Sequence, residues 1–232
     1  MVGTSADPDS VLDGSLGGIT RTAGVNRTSV RNGVVRGFGG TGIALGDEAR
    51  ISDVVVRENA SDGIVVGSMS RVTDCIAEFN GSTGITGGAS TTVSGCHALA
   101  NGTYGIFVTF NGLVDQNIAE QNNIGIGVVS GSTVSRCLLN ANKGDGIVAL
   151  NYNDVRDNVS RANGTTSIGA GIHATGLGNH IEGNTVAIND YGIDVDVANN
   201  VSATQPATTP IISGRSWPGT RSGRRCQPGT SA

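Results

Sequence analysis

Aromatic side chains are nearly missing from this chain: four phenylalanines, three tyrosines and one tryptophan make up 3% of its 232 residues. Lysine occurs once, at Lys143, against 14 arginines, and charged residues of all kinds reach only 15%. The formal net charge is −4, so the chain lacks the basic balance expected of a nucleic-acid binder. Its five prolines, with no glycine at every third position, exclude a collagen helix. No run of 18 apolar residues occurs, so no membrane span is expected. Met1 to Ser10 contain neither a basic nor an apolar segment, so no signal peptide is expected there. Four cysteines, Cys75, Cys96, Cys137 and Cys226, are too few and too unevenly placed for a disulfide framework.

Glycine, by contrast, is abundant, with 37 residues, roughly twice the ordinary share. That content argues against a helical bundle, because each interior glycine costs a helix about 1 kcal/mol. Hydrophobic residues at 37%, evenly spread, argue against a disordered chain. A glycine-punctuated β protein remains.

The punctuation is periodic. Gly-Ile dipeptides place isoleucines at Ile19, Ile43, Ile64, Ile85, Ile106, Ile126, Ile147, Ile172 and Ile193. The spacings are 24, 21, 21, 21, 20, 21, 25 and 21 residues. A second apolar column follows, mostly eight residues later: Val30, Ile51, Val72, Val93, Val114, Val134, Val155, Ile181 and Val201. Three residues beyond it stand Cys75, Cys96, Asn117, Cys137, Asn158 and Asn184. Five further on comes an asparagine in seven repeats: Asn59, Asn80, Asn101, Asn122, Asn142, Asn163 and Asn189. Each repeat holds three short stretches with period-two alternation, the signature of strands. No single repeat can bury its apolar face alone, whereas stacked repeats bury a continuous core.

The repeat resembles the right-handed parallel β-helix family of the pectate-lyase-like superfamily over about residues 15–204. The resemblance implies an all-β, single-stranded solenoid of about nine coils with three short strands per coil. At about 4.8 Å per coil its length is roughly 43 Å. Residues 1–14 are expected to be a polar N-terminal segment. Residues 205–232 lose every column and read as a disordered or aberrant tail, rich in Pro, Gly, Ser and Arg. Glycine and asparagine at the corners are expected to supply left-handed backbone. The asparagine column is expected to form a hydrogen-bonded ladder; the Asn-Gly-Ser/Thr sequences there answer to the corner rather than to glycosylation. Cys75 and Cys96 fall on adjacent coils with Cα atoms about 5 Å apart. Parallel stacked side chains rarely reach disulfide geometry, so free buried thiols are expected.

The column after each Gly-Ile faces outward: Thr20, Ala44, Val65, Thr86, Phe107, Gly127, Val148, His173 and Asp194. It is bland until its last two members. His173 and Asp194 are expected to stack, with Asp196 two residues along. Tyr191 and Asp190 flank them as binding candidates. The one long corner insertion, Gly164 to Gly169, lies just before His173. A histidine between carboxylates can exchange protons near neutrality, and paired carboxylates can act on a glycosidic bond. His173, Asp194 and Asp196 are therefore the catalytic candidates; a solvated terminal face is the alternative. Asp62 and Asp145 read as corner residues. No cofactor motif is present, no metal cluster is expected, and the calcium-binding nonapeptide of related repeats is absent.

A second outward column, Val34, Val55, Ile76, His97, Ile118, Leu138, Val159 and Thr185, forms an almost continuous apolar stripe. Two functions follow. One is a carbohydrate-associated module that binds or processes a polysaccharide, secreted or at the cell surface as the resemblance implies. The other is a non-catalytic structural or adhesive repeat that self-associates through the stripe or its open ends.

Overall fold

The computed structural model describes residues 11–14, 16–21, 24–166, 168–202 and 205–206. It is a right-handed parallel β-solenoid with no helix among these residues. The Gly-Ile stretches form a nine-stranded parallel sheet running from Ile19–Thr20 to Tyr191–Val195. The two other strand rows together form a 17-stranded sheet. They merge because Ser29–Arg36 and Arg50–Arg57 each run unbroken through both rows, where three separate strands per coil were expected. Farther along the rows separate, as in Leu113–Asp115 and Ile118–Glu120.

Register places like on like. Ile85 pairs with Ile106, then Ile126, Ile147, Ile172 and Ile193 in succession. All of these are buried. Each contributes about 2 kcal/mol of burial, realised only when a neighbouring coil covers it. Cys75, Cys96 and Cys137 are free and buried in the same core. The adjacent Cys75 sulfur and burial hold the Cys96 thiol far above its ordinary range. Burial pushes Cys137 up to about 11. Cys96 and Cys137 are therefore uncharged at neutral pH and unsuited to nucleophilic work.

The asparagines bond one coil to the next. Asn101 donates its backbone N–H and its Nδ2 to Oδ1 of Asn122, at 2.9 and 3.0 Å. Its Nδ2 also reaches the Ala77 carbonyl at 2.9 Å. The same pattern joins Asn59 to Asn80 and Asn163 to Asn189. A second stack, Asn153, Asn179 and Asn199, has equivalent bonds.

The corner chemistry bears out the expectation for glycine only in part: Gly95, Gly131, Gly178 and Gly183 are left-handed, but one row of corners uses none. The left-handed residue before each asparagine of the first stack is Glu58, Phe79, Ala100, Gln121, Ala141, Ala162 or Ile188, never glycine. An L-residue pays about 1–2 kcal/mol for that conformation. The corner is held by stacking bonds on either side, such as Phe79 N–H to the Leu99 carbonyl and Asn80 N–H to Asn101 Oδ1.

The Gly-Ile glycines are needed for space instead. A Cβ on Gly84 would stand 2.6 Å from the Gly105 carbonyl oxygen and 2.7 Å from Asn101 Nδ2. Gly84→Ala is expected to cost about 2–3 kcal/mol by overpacking, read as a lower urea midpoint. An unchanged midpoint would show that the coils have slack there.

Strand Val11–Asp13 pairs with Val34–Arg36, so paired structure reaches into residues 1–14, the expected polar N-terminal segment. Gln205–Pro206 pairs with Thr185 and Val186. The rest of the expected tail, with Cys226, lies outside the described residues. Among the described residues no helix is long and apolar enough to cross a membrane.

Candidate functional site

Strands Ala170–Ala174 and Tyr191–Val195 pair in register, with Ile172 on Ile193 and His173 on Asp194. Both isoleucines are buried in the core, and alternation sends His173 and Asp194 outward. His173 Nε2 lies 3.8 Å from Asp194 Oδ2.

The other ring nitrogen finds a partner that sequence reading assigned only to a corner. His173 Nδ1 is 3.1 Å from Asp145 Oδ2, while Asp145 Oδ1 accepts the Ala170 N–H at 2.7 Å. Asp62 does the second job alone, accepting the Thr83 N–H at 2.9 Å. Asp145 therefore keeps its corner role and adds an orienting one. A signal for this was present: Asp145 and Tyr191 both stand two residues before a Gly-Ile isoleucine, and so on one column.

These groups border an open cavity of about 430 Å³ lined by Asp145, His173, Tyr191, Asp194 and Asp196, with Ile168, Gly169 and Ala170 at its edge. The corner insertion thus contributes a wall. Asp190, expected to bind with Tyr191, does not line the cavity. Its Oδ2 accepts the Gly169 N–H at 3.2 Å, which ties the insertion to the next coil.

The hydrogen bond to Asp145 raises the His173 pKa above its ordinary value of 6.5; burial opposes this, and the charges of Asp145, Asp194 and Asp196 add to it. With Nδ1 bonded to Asp145, Nε2 is the atom left to exchange a proton with a ligand. A raised histidine pKa also contributes stability that is complete below the unfolded value and is lost as pH rises through the folded one. Asp145→Asn removes the largest cause. The His173 pKa, followed by its ring proton shifts in NMR, is expected to fall toward 6.5. An unmoved titration would reassign the perturbation to Asp194 and Asp196.

Comparison with known proteins agrees with the geometry of the fold. The family model described as "Right handed beta helix region" matches residues 17–159. No curated protein sequence matches the chain. Among solved structures, the A-module of mannuronan C-5 epimerase AlgE6 from Azotobacter vinelandii is similar, with a TM-score of 0.66 and 16% identity over 88% of this chain and 71% of that one. The A-module of AlgE4 from the same organism gives 0.59 and 18% identity, over 81% of this chain and 64% of that one. An alginate lyase from Paenibacillus sp. str. FPU-7 gives 0.63 and 16% identity, covering 87% of each chain. At such identities the likeness is one of fold.

Proposed function

This chain belongs to the right-handed β-helix family, and on that premise we propose that it cleaves a polysaccharide by general acid catalysis at His173. The observation that carries the proposal is the Asp145–His173–Asp194 arrangement opening on a cavity. Asp145 holds the ring and favours its protonated form. Nε2 then delivers a proton to a glycosidic oxygen. Asp194 and Asp196 supply carboxylates that stabilise the positive charge growing on the sugar ring or activate water. The Tyr191 hydroxyl hydrogen-bonds the sugar.

Three carboxylates surround one imidazole, so an uncharged sugar at the reacting position suits the cavity better than a uronate. Mannuronan and alginate, in the names of the similar structures, support a polysaccharide in general and place acidic polymers in the assay. A polysaccharide substrate is met outside the cell, so secretion or surface display is part of the proposal. The test is reducing-end release from a panel of neutral and acidic polysaccharides by wild type and His173→Ala. Release by wild type that the variant loses supports the proposal. Equal release, or none on any polymer, contradicts it.

A second reading has one observation in its favour. Ile76, Ile118 and Val159 of the apolar stripe are 38%, 38% and 41% exposed. A structural or adhesive repeat would associate through this stripe, and light scattering would show self-association that Ile118→Lys abolishes.

A further inference from the structure

On another face, at the opposite end of the solenoid, arginines line an open groove of about 780 Å³. They sit on the outward side of the row that follows each Gly-Ile strand. Ser29, Arg50 and Arg71 pair in one column, and Arg31, Ser52 and Thr73 in the next. Arg27 closes the edge, with Nε 2.6 Å from Glu48 Oε2.

The arrangement is unfavourable for stability alone. Arg50 and Arg71 are direct register partners, and like charges opposite one another destabilise a sheet. Among the described residues, Arg31, Arg50 and Arg71 have no carboxylate partner, whereas Glu48 is paired with Arg27. Farther along the same row the cations have acidic partners. Arg136 bonds Asp115, Arg156 lies 2.9 Å from Asp154, and His180 is 3.2 Å from Asp154. Among the described residues this groove thus gathers three uncompensated cations, in a chain of net charge −4.

We propose that this groove is an anchoring site for an acidic polysaccharide, separate from the cavity at His173. Guanidinium groups pair bidentately with carboxylates or sulfates. Arg50 and Arg71 repeat at the inter-strand spacing of about 4.8 Å, close to the rise of one sugar along an extended chain. Ser29, Ser52 and Thr73 stand beside them as partners for sugar hydroxyls. A single-stranded nucleic acid fits less well, because no aromatic ring lines the groove for base stacking. Anchoring to an acidic matrix would hold the distant cavity near its own substrate. The proposal does not require that His173 be catalytic.

Affinity electrophoresis through gels containing polygalacturonate, alginate, heparin or dextran tests it. Wild type is expected to be retarded by acidic polymers and not by dextran, with retardation weakening as salt rises. Arg50→Ser with Arg71→Ser is expected to weaken binding at least about tenfold, given what charge-assisted hydrogen bonds contribute. Both sites are exposed, and an unchanged melting curve confirms that the double variant folds. His173→Ala is expected to bind as wild type does, so loss of turnover and loss of anchoring are told apart. Equal retardation of wild type and double variant, equal retardation in dextran, or tighter binding to a single-stranded oligonucleotide than to any acidic glycan would overturn the proposal.

Discussion

Asn122→Ala is expected to destabilise the solenoid by about 4 kcal/mol, from two or three buried polar groups left unpaired at about 1–3 kcal/mol each. Asn122 Oδ1 accepts both the backbone N–H and the Nδ2 of Asn101, and its Nδ2 donates to the Ala98 carbonyl at 3.0 Å. It also contacts Asn142 Oδ1 at 3.3 Å. Alanine leaves Asn101 and Ala98 without these partners in a place that water does not reach. Neighbouring Asn123 is exposed, so Asn123→Ala is the control and should stay within about 0.5 kcal/mol. Urea unfolding checks both. A loss at Asn122 no larger than at Asn123 would mean that apolar burial alone holds the coils.

The second large effect falls on activity. His173→Ala is expected to lower kcat about 10²- to 10⁴-fold, the usual contribution of a positioned proton donor, while leaving the melting temperature nearly unchanged. The small stability effect follows from position, because His173 faces outward from the strand whose Ile172 is buried. The pH profile carries the sign. A proton donor must be protonated, so activity should hold below the folded His173 pKa and fall as pH rises through it. That pKa lies above 6.5 because of Asp145. In Asp145→Asn the alkaline fall should therefore begin at lower pH.

Much of the fold was legible because stacking imposes identity on columns. Nine Gly-Ile dipeptides predict one inward column, and Ile43 through Ile193 occupy it buried. The left-handed corners were legible only in part, at residues such as Gly95, Asn111 and Gly131. Ile188 and Phe79 adopt a conformation that their side chains disfavour, because bonds from adjacent coils outweigh local preference. Sequence shows the preference and not those bonds. The reason for the glycine column was likewise hidden: the Gly105 carbonyl approaches Gly84 from the next coil and leaves no room for a Cβ.

The site divides in the same way. His173 facing Asp194 followed directly from register. Asp145 did not, since it serves the same corner role as Asp62 and only its second oxygen meets the histidine. Asp190 lies off the cavity and bonds the Gly169 N–H, because proximity to Tyr191 in sequence says nothing of which side of a corner a carboxylate joins. The arginine groove is present in the sequence as Arg31, Arg50 and Arg71. Its meaning appears only when register stacks Arg50 on Arg71 with no acid between them.

The most direct test of the central claim is initial-rate release of reducing ends as a function of pH, for wild type, Asp145→Asn and His173→Ala on the best polysaccharide of the panel. The expected result is a wild-type rate that falls through a pKa above 6.5, a fall displaced to lower pH in Asp145→Asn, and a rate reduced at least about a hundredfold in His173→Ala. Superimposable profiles for wild type and His173→Ala would contradict it.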